Sequence, residues 1–302
     1  MIGITLGDPG GIGIEVTLKA LSNFKEGRFI LFGNERALEY YSKKLSLKIP
    51  KNAEIWNIKG DFFIGEINPN NGEVAYNSIM EAIKAVKNGM CNAIVTAPIN
   101  KKALQLAGFD YPGHTEILAR NFSCEDFAMM MVSEEMKIVF VTTHIPLSSV
   151  SLTLSKEKII KKTKLAYKYL KLYWGLENPS FGVLALNPHK GDEGLFGREE
   201  EEVIKPAIEE LRMEGVNIEG PFPSDTYWIS QRKDCTVALY HDQGMIPFKL
   251  KSYGKGVNIT LGLPIPRTSP DHGTAFDIAG KGVANPGSMK EAIKLALKIA
   301  DV

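Results

Sequence analysis

The sequence is poor in cysteine and contains no long apolar run. Its three cysteines, Cys91, Cys124 and Cys235, are widely spaced and form no C-x-x-C motif, which disfavours both a disulfide framework and a cysteine-rich zinc site. No stretch approaches the ~18 consecutive apolar residues of a membrane span, and no signal-peptide pattern precedes the first strand-like residues. We therefore expect a cytoplasmic protein that does not enter a membrane.

Neither sign of charge is in excess. Lys and Arg number 36 against 35 for Asp and Glu, so the net charge is +1. The densest basic segment, residues 156–164, carries apolar residues at helical spacing and is typical of a solvated helix face. This balance does not favour nucleic acid as a partner. At 302 residues with 44% hydrophobic content, the chain can form two ordinary domains or one large α/β domain.

Short runs rich in β-branched residues alternate along the chain with segments of helical period. Alternation of this kind predicts an α/β fold with a largely parallel sheet. Helices are predicted at residues 156–172 and 199–212, the second interrupted or kinked at Pro206. The predicted strands cover residues 2–6, 29–32, 93–96, 138–142, 181–186 and 236–240.

Two Ser-x-x-Glu capping boxes predict further helix starts, one at Ser78 with Glu81 and one at Ser288 with Glu291. The segment between residues 252 and 287 differs from the rest of the chain because it is dense in Gly and Pro and has little periodicity. We interpret it as an ordered functional loop region rather than as scaffold.

Three of the predicted strands are each followed by a histidine. His144, His189 and His241 come shortly after the strands at 138–142, 181–186 and 236–240. Ligands of open α/β sheets bind beyond the carboxyl ends of the strands, so we expect the three side chains to converge there. A lone histidine is more often a structural group, but three neutral imidazoles with an open fourth position are typical of a catalytic metal. Such ligands favour zinc, cobalt, nickel or iron over calcium, and nearby carboxylates would also admit magnesium or manganese.

Two aspartates are candidates for orienting an imidazole ligand. Asp242 follows His241 directly, and Asp225 lies in a Pro-Ser-Asp-Thr segment where ordinary turn chemistry is the competing interpretation. The glycine turn at residues 7–13 follows a strand and opens a helix, which suits either an anion at the helix N-terminus or a tight turn without a ligand. The turn does not match G-x-G-x-x-G, so it is weak evidence for a dinucleotide site.

Basic and polar residues suited to an anionic substrate lie outside the histidine strands. Arg267 can hold phosphate or carboxylate with a bidentate fork, and Lys249 would add a point charge, although a solvated surface role is the default for each taken singly. The Gly-rich segment at 271–282 has small residues that would let a flat ligand approach the backbone. The further candidates of this kind are Asn258, His114 and Thr115.

Long motifs across the whole chain resemble the PdxA family of 4-hydroxythreonine-4-phosphate dehydrogenases. They include GDPGGIGIE at 7–15, TAPINK at 96–101, LNPHKGDEGLFGREE at 186–200 and YHDQGMIPFK at 240–249. The last of them, NITLGLPIPRTSPDHGTAFDIAGKGVANPGSM at 258–289, is also similar to the adenosine-binding loop of isopropylmalate dehydrogenases. One departure is visible, since Gly10 and Ile14 stand where the family usually has Ala and Pro.

The resemblance implies a fold, a division of the chain and a set of site residues. The fold would be that of isocitrate and isopropylmalate dehydrogenases, with two α/β/α domains around a largely parallel sheet and the active site in the cleft between the domains. Residues 1–118 with 262–302 would form the first domain and residues 119–261 the second. The implied metal ligands are His144, His189 and His241; the substrate ligands are His114, Thr115, Lys249, Asn258 and Arg267; the cofactor residues are His272, Gly273, Thr274, Asp277, Gly280 and Asn285.

The resemblance also implies an activity. NAD or NADP with a divalent metal would oxidise the C3 hydroxyl of 4-phosphohydroxy-L-threonine, and the 3-keto acid would lose carbon dioxide to give 1-amino-3-hydroxyacetone phosphate. Family members are homodimers that share metal ligands between subunits. Asp242, Asp225 and Lys101 are alternative proton acceptors. Two other activities stay open: a paralogous 4-phosphothreonate or 4-phosphoerythronate dehydrogenase, and a metal-dependent phosphate-ester hydrolase, against which the HGTAFDIAGKG loop argues.

Overall fold

The computed structural model describes residues 1–230 and 233–301. The strands are β1 (Ile2–Thr5), β2 (Phe29–Gly33), β3 (Ala53–Asn57), β4 (Ala93–Thr96), β5 (Ala128–Val132), β6 (Lys137–Phe140), β7 (Phe181–Leu184), β8 (Ile218–Phe222), β9 (Cys235–Ala238), β10 (Val257–Leu261) and β11 (Arg267–Pro270). The helices are α1 (Gly13–Leu21), α2 (Glu35–Leu45), α3 (Pro69–Lys87), α4 (Lys101–Leu106), α5 (His114–Asn121), α6 (Val150–Thr153), α7 (Lys156–Trp174), α8 (Lys205–Met213), α9 (Ser224–Tyr227), α10 (His241–Ser252) and α11 (Gly287–Ile299).

The described residues group into two compact units. Unit 1 contains Met1–Glu125 and Gly254–Asp301, and unit 2 contains Asp126–Tyr253. The predicted limits differ from these for two structural reasons. A boundary after residue 118 would cut through α5, and a boundary after residue 261 would separate β10 from β11, with which it pairs.

Unit 1 is an α/β/α layer structure. Its strands follow the order β3-β2-β1-β4-β11-β10, with β10 antiparallel to β11 and the other pairs parallel. Buried side chains of α1, α2 and α11 cover one face of the sheet, and those of α3, α4 and α5 belong to the core on the other face. Because both faces are covered, β1, β2 and β4 are buried along their whole length rather than alternating between buried and exposed residues.

Unit 2 is built on the same plan. Its strands follow the order β5-β6-β9-β7-β8, and only the β5–β6 pair among the described strands of this unit is antiparallel. The predicted α/β class with a largely parallel arrangement is therefore confirmed. Within the described residues, no helix combines the length and apolar character that crossing a membrane requires.

Both predicted capping boxes are wrong. Helix α3 begins at Pro69 after the Asn68 cap, whose side chain accepts from Asn70 N–H, so Ser78 lies inside the helix and donates its hydroxyl to the Val74 carbonyl. Helix α11 begins at Gly287, and the Ser288 hydroxyl bonds to residues outside the helix: it accepts from Asp271 N–H and donates to the Gly256 carbonyl.

The other helix predictions have mixed outcomes. The interruption at Pro206 is confirmed, because a π-helical segment, Glu200–Ile204, precedes α8 and Pro206 lies in the first turn of α8, where its missing N–H costs least. The segment 252–287 is not all loop, since it contains the two strands β10 and β11.

Candidate functional site

The histidines of unit 2 follow strands that are parallel neighbours. Strand β9 pairs with β6 on one side and with β7 on the other, so the carboxyl ends of all three lie at one edge of the unit 2 sheet. His241 is the first residue of α10, directly after β9, and His144 follows β6. The rings of His144 and His241 lie 5.8 Å apart, centroid to centroid.

Asp242 orients the His241 ring. The Asp242 carboxylate lies 2.6 Å from Nδ1 of His241, which leaves Nε2 as the nitrogen available to a metal. Carboxylates in this position fix the tautomer and the orientation of ligand histidines. Asp225, the other candidate, is exposed in α9, and its carboxylate accepts from the Thr226 N–H.

His189 lies in a left-handed turn. Every residue from His189 to Glu193 has a positive φ, between 44° and 78°, although four of the five are not glycine and such conformations cost free energy for side chains with a Cβ. Residues held in sparsely populated backbone regions concentrate at functional sites. The exposed His189 ring lies 6.3 Å from the Phe196 ring.

Glu200 stabilises the loop that carries His189. Its buried carboxylate accepts from the N–H groups of Leu186 (2.8 Å) and Asn187 (2.7 Å) at Oε1 and from the Asn187 amide (2.9 Å) at Oε2. A Cβ on Gly191 would lie 2.7 Å from the same Oε2, so the turn has to approach the carboxylate without a side chain. Glu200 was not among the predicted site residues, although it is the last residue of the motif at 186–200.

The structure brings together two of the three predicted metal ligands. Among residues 1–230 and 233–301, no three His, Cys, Asp or Glu side chains are grouped closely enough to hold a metal ion. His144 and His241 form a pair whose chemistry fits a divalent metal that also takes ligands from elsewhere. His189 does not join them within the chain.

A separate polar cluster surrounds Arg267 in unit 1. Arg267 is buried at the start of β11, and its guanidinium donates to the hydroxyls of Thr96 (2.6 and 3.1 Å) and Thr260 (3.0 Å). Burial lowers the pKa of Arg267 to about 10, and the Glu116 carboxylate acts in the opposite direction. The side chain is therefore still a cation at neutral pH, and a buried cation of this kind suits an anionic ligand.

Two side chains beside Arg267 have polar atoms without a partner. Nε2 of His114 and Oδ1 of Asn258 are buried and make no hydrogen bond. The pKa of His114 lies well below its ordinary value because of burial and the nearby Arg267 charge, against a hydrogen bond with the Ala97 backbone. A neutral His114 and the Asn258 amide can thus each offer an acceptor to a ligand that donates hydrogen bonds.

The remaining predicted substrate and proton-transfer residues lie in different places. Thr115 is the second residue of α5 and is half-buried, next to His114. Lys101 begins α4 and is exposed, and its Cε would lie 3.8 Å from a Cβ on Gly113. It therefore lies close to the residue that precedes His114. Lys249 is half-buried on α10 of unit 2.

Gln243 and the threonine partners of Arg267 were not predicted. Gln243 accepts from Leu239 N–H (2.6 Å) and donates to the Ala185 carbonyl (2.6 Å), which ties the ends of β9 and β7 together. The Thr260 hydroxyl, two residues beyond Asn258, accepts from Arg267 across the antiparallel β10–β11 pair. That cross-strand relation is a signal that sequence reasoning can use only once the strands are paired.

The segment at 271–287 forms an ordered loop held at several points. Asp271 N–H donates to the Ser288 hydroxyl (2.8 Å), and Ile12 N–H in the glycine turn donates to the Thr274 carbonyl (2.9 Å). Gly11 packs so closely on Thr274 that a Cβ there would lie 2.7 Å from its carbonyl oxygen. The glycine turn thus supports this loop.

The residues of this loop that are predicted to bind the cofactor face different environments. Gly273, Asp277 and Asn285 are exposed, and His272 is half-buried with Nδ1 3.1 Å from the Gly273 carbonyl. Thr274 and Gly280 are buried. The Asp277 carboxylate, the Asn285 amide and the exposed backbone of Gly273 suit a polar ligand such as a dinucleotide.

Asp8 in the glycine turn is a buried carboxyl group with a raised pKa. Its Oδ1 accepts from Gly10 N–H (2.8 Å), while its buried Oδ2 has no partner. Burial raises the pKa of Asp8 from 3.8 to about 7 against that hydrogen bond. The folded state therefore binds more protons than the unfolded chain between about pH 4 and pH 7, and stability falls as the pH rises through this window.

Replacing Asp8 with Asn is expected to remove this pH dependence. We compare the free energy of unfolding of the variant with that of the wild type at two pH values. The difference, variant minus wild type, should be about 4 kcal/mol more positive at pH 8 than at pH 4. Denaturant unfolding at both pH values measures the gain. The lowered pKa of His114 affects stability in the opposite direction, because it lowers the stability of the fold as the pH falls below about 6.5. This effect is present in both proteins, so it cancels in the difference between them. An equal difference at the two pH values would contradict the prediction.

Comparison with known proteins identifies the family. The model of the family described as "Pyridoxal phosphate biosynthetic protein PdxA" matches residues 17–296. The chain belongs to the PdxA family. A 4-hydroxythreonine-4-phosphate dehydrogenase of Aquifex aeolicus is 42% identical over 99% of this chain and 98% of its own length. The predicted membership of this family and the prediction of an oxidoreductase are both confirmed.

Two further relatives match along the whole chain. A protein of Oceanobacillus iheyensis named as a putative D-threonate 4-phosphate dehydrogenase is 42% identical, over 99% of this chain and 98% of that one. The crystal structure of a 4-hydroxythreonine-4-phosphate dehydrogenase from Klebsiella pneumoniae superposes with a TM-score of 0.86 at 37% identity, covering 99% of both chains. Full-length coverage at this similarity shows that the PdxA fold extends over both units.

Proposed function

We propose that this PdxA family member oxidises the C3 hydroxyl of 4-phosphohydroxy-L-threonine with NAD or NADP and a divalent metal. The observation that carries the proposal is the buried Arg267, fixed by two threonine hydroxyls and flanked by the unpartnered acceptors of His114 and Asn258. This cluster offers one cation for a phosphate or carboxylate and two acceptors for hydroxyl or ammonium groups. The substrate carries all of these groups.

Each residue of the cluster has a separate task in the proposed reaction. Arg267 holds an anionic end of the substrate, and neutral His114 accepts a hydrogen bond at Nε2. Lys101, whose Cε would lie 3.8 Å from a Cβ on the neighbouring Gly113, is our candidate to take the hydroxyl proton in its free-amine form, because Asp242 is already engaged with His241 and Asp225 with the backbone.

Oxidation prepares the substrate for decarboxylation. The dinucleotide, when bound, would accept the hydride from C3, and the 271–287 loop would help to position it. The new keto group lies β to the carboxylate, so the C1–C2 bond breaks, its electron pair forms an enolate, and a proton returns to C2. The organic product is then 1-amino-3-hydroxyacetone phosphate.

His144, His189 and His241 would hold the metal, with zinc as the first choice and cobalt, magnesium or manganese as alternatives. When bound, the ion would supply Lewis-acid polarisation of the reacting oxygen. We propose that the third imidazole comes from a second copy of the chain, in a homodimer. This is supported by the pairing of only His144 with His241 in the described chain and by exposed apolar residues, Ile246 and Leu250 on α10 and Tyr253 directly after it.

A second candidate substrate is 4-phosphothreonate, in which a hydroxyl replaces the amino group at C2. The similarity to the Oceanobacillus iheyensis protein favours it, and 4-phosphoerythronate belongs to the same group of substrates. All of these compounds present an anion to Arg267 and a hydrogen-bond donor to His114. The cluster therefore accommodates either class.

A substrate panel tests the proposal. The purified full-length protein, reconstituted with zinc, should reduce NAD or NADP with 4-phosphohydroxy-L-threonine and release carbon dioxide, as followed by dinucleotide absorbance. Preferential turnover of 4-phosphothreonate or 4-phosphoerythronate would select the second candidate. Release of inorganic phosphate without dinucleotide reduction would overturn both candidates and establish a phosphate-ester hydrolase.

A further inference from the structure

The last part of the 271–287 loop is held by two oppositely charged side chains of α1. Glu15 accepts from Ala284 N–H (2.9 Å) at Oε1 and from Gly282 N–H (3.3 Å) at Oε2. Lys19, one helical turn later, donates from Nζ to the carbonyls of Gly282 (2.8 Å) and Ala284 (2.9 Å). Both backbone groups of both loop residues are therefore bound by one pair of side chains.

The pair is itself closely joined and largely withdrawn from water. Nζ of Lys19 lies 2.7 Å from Oε1 of Glu15, and the side chains are 21% and 0% exposed. A buried carboxylate is favourable only when its partners satisfy it, and Glu15 has a cation and two N–H donors. The geometry of residues 282–284 thus depends on a charge arrangement that belongs to α1.

The pair fixes the backbone and leaves the outer side of the loop open. Ala284 is buried, whereas Val283 and Asn285 are exposed. The hydrogen bonds that the Glu15–Lys19 pair makes to Gly282 and Ala284 fix the backbone of this segment. They therefore set the direction in which Val283 and Asn285 face solvent. A ligand that contacts this outer side would meet a surface that is already ordered, which reduces the entropy lost on binding.

We propose that Glu15 and Lys19 are positioning residues for the dinucleotide, which act by holding residues 282–284 in the conformation that binds it. This inference rests on the proposed function, in which the 271–287 loop receives NAD or NADP. Neither side chain has to touch the cofactor. Their effect should therefore appear in cofactor affinity and not in the anion cluster around Arg267.

The structure offers a matched control for an ordinary helical ion pair. Nζ of Lys84 lies 2.7 Å from Oε1 of Glu81, which stands three positions earlier on α3 of the same unit. The Lys84 side chain is 63% exposed. Exposed pairs of this kind contribute little to stability. Lys84→Met therefore controls for the loss of one positive charge and of one helical ion pair.

The test measures the dissociation constants of NAD and NADP by calorimetry on the full-length protein, together with that of inorganic phosphate. Lys19→Met is expected to weaken dinucleotide binding roughly tenfold, because it removes two hydrogen bonds from a charged donor. Phosphate affinity and the values for Lys84→Met should stay within about twofold of the wild type. Lys19→Arg, which keeps the charge and the donors, should restore much of the affinity.

Glu15→Gln provides a second variant and steady-state kinetics a second readout. The amide keeps one acceptor but turns a donor toward either Lys19 or Gly282, so we expect a larger rise in the KM for the dinucleotide than in that for the phosphorylated substrate. At saturating dinucleotide, kcat should be nearly recovered.

The outcomes separate the inference from the function on which it rests. A wild-type protein that binds neither NAD nor NADP would overturn both. Normal dinucleotide binding by the wild type and by Lys19→Met alike would overturn the role of the pair and leave the proposed function intact. A parallel loss of phosphate and dinucleotide affinity in Lys19→Met would also overturn it, because the pair would then act on the whole unit.

Discussion

Replacing Arg267 with Met is expected to lower kcat/KM for the phosphorylated substrate by about 10²- to 10⁴-fold. The wild-type guanidinium can make two charge-assisted hydrogen bonds to an anion, each worth roughly 1.5–3 kcal/mol, and methionine makes none. Steady-state kinetics at saturating dinucleotide measure the loss. The KM for the dinucleotide should be unchanged, because the 271–287 loop is held by other side chains.

The stability of this variant distinguishes a binding role from a structural one. Removing the buried cation relieves its desolvation cost but leaves the hydroxyls of Thr96 and Thr260 without its donors, so we expect the free energy of unfolding to change by no more than about 1–3 kcal/mol. Arg28→Met is the control, since Arg28 is an arginine of the same unit with a 74% exposed side chain. A variant that keeps its kcat/KM, or that loses activity only in step with a fall in Tm, would refute the anion-binding role.

Replacing His189 with Ala is expected to reduce bound metal and to lower kcat by about 10³-fold or more. A metal that polarises the reacting oxygen supplies several kcal/mol of transition-state stabilisation, and each 1.36 kcal/mol corresponds to a factor of ten. Metal analysis of the purified protein and kinetics at saturating metal measure the two effects. Lys190→Ala, in the same left-handed turn, controls for disturbance of the loop. Full metal content and full activity in the His189 variant would remove His189 from the site.

A mixing experiment extends the same prediction to the subunit arrangement. If the ligands of one metal come from two subunits, inactive His189→Ala and His241→Ala proteins should complement each other after subunit exchange. Half of the dimers would then be hybrids with one intact site of two, so about a quarter of the wild-type activity should return. No recovery after exchange that has been verified by mass would contradict a shared site.

Elements with strong local signals were predictable from the sequence. Strands β1, β2 and β4 are short apolar runs bounded by turns, and the structure has them within one or two residues of the predicted positions. The helix starts at Ser78 and Ser288 were wrong because a Ser-x-x-Glu pattern does not show whether a helix has already begun upstream. Strands β10 and β11 escaped prediction because their polar residues, including Asn258 and Arg267, face a cluster of polar side chains rather than an apolar core.

The candidate site was predicted in outline for related reasons. Placement after parallel strands correctly brought His144 near His241, since β6 and β9 are neighbours. The position of His189 could not be derived in this way, because its loop departs from β7 through a left-handed turn that depends on the Glu200 carboxylate. The roles of Thr96, Thr260 and the Glu15–Lys19 pair depend on contacts between residues distant in sequence.

The sequence by itself determined the α/β class, the residue types suited to a metal, an anion and a dinucleotide, and the membership of the PdxA family. The fold class follows from the local periodicity of apolar residues. The residue types and the family follow from short contiguous motifs. Only the tertiary structure decided which of those residues meet: that Arg267 is buried between two threonines, that His144 pairs with His241 without His189, and that α1 holds the 282–284 segment. Pairing of strands and burial of charge are properties of the folded chain, so no local pattern encodes them alone.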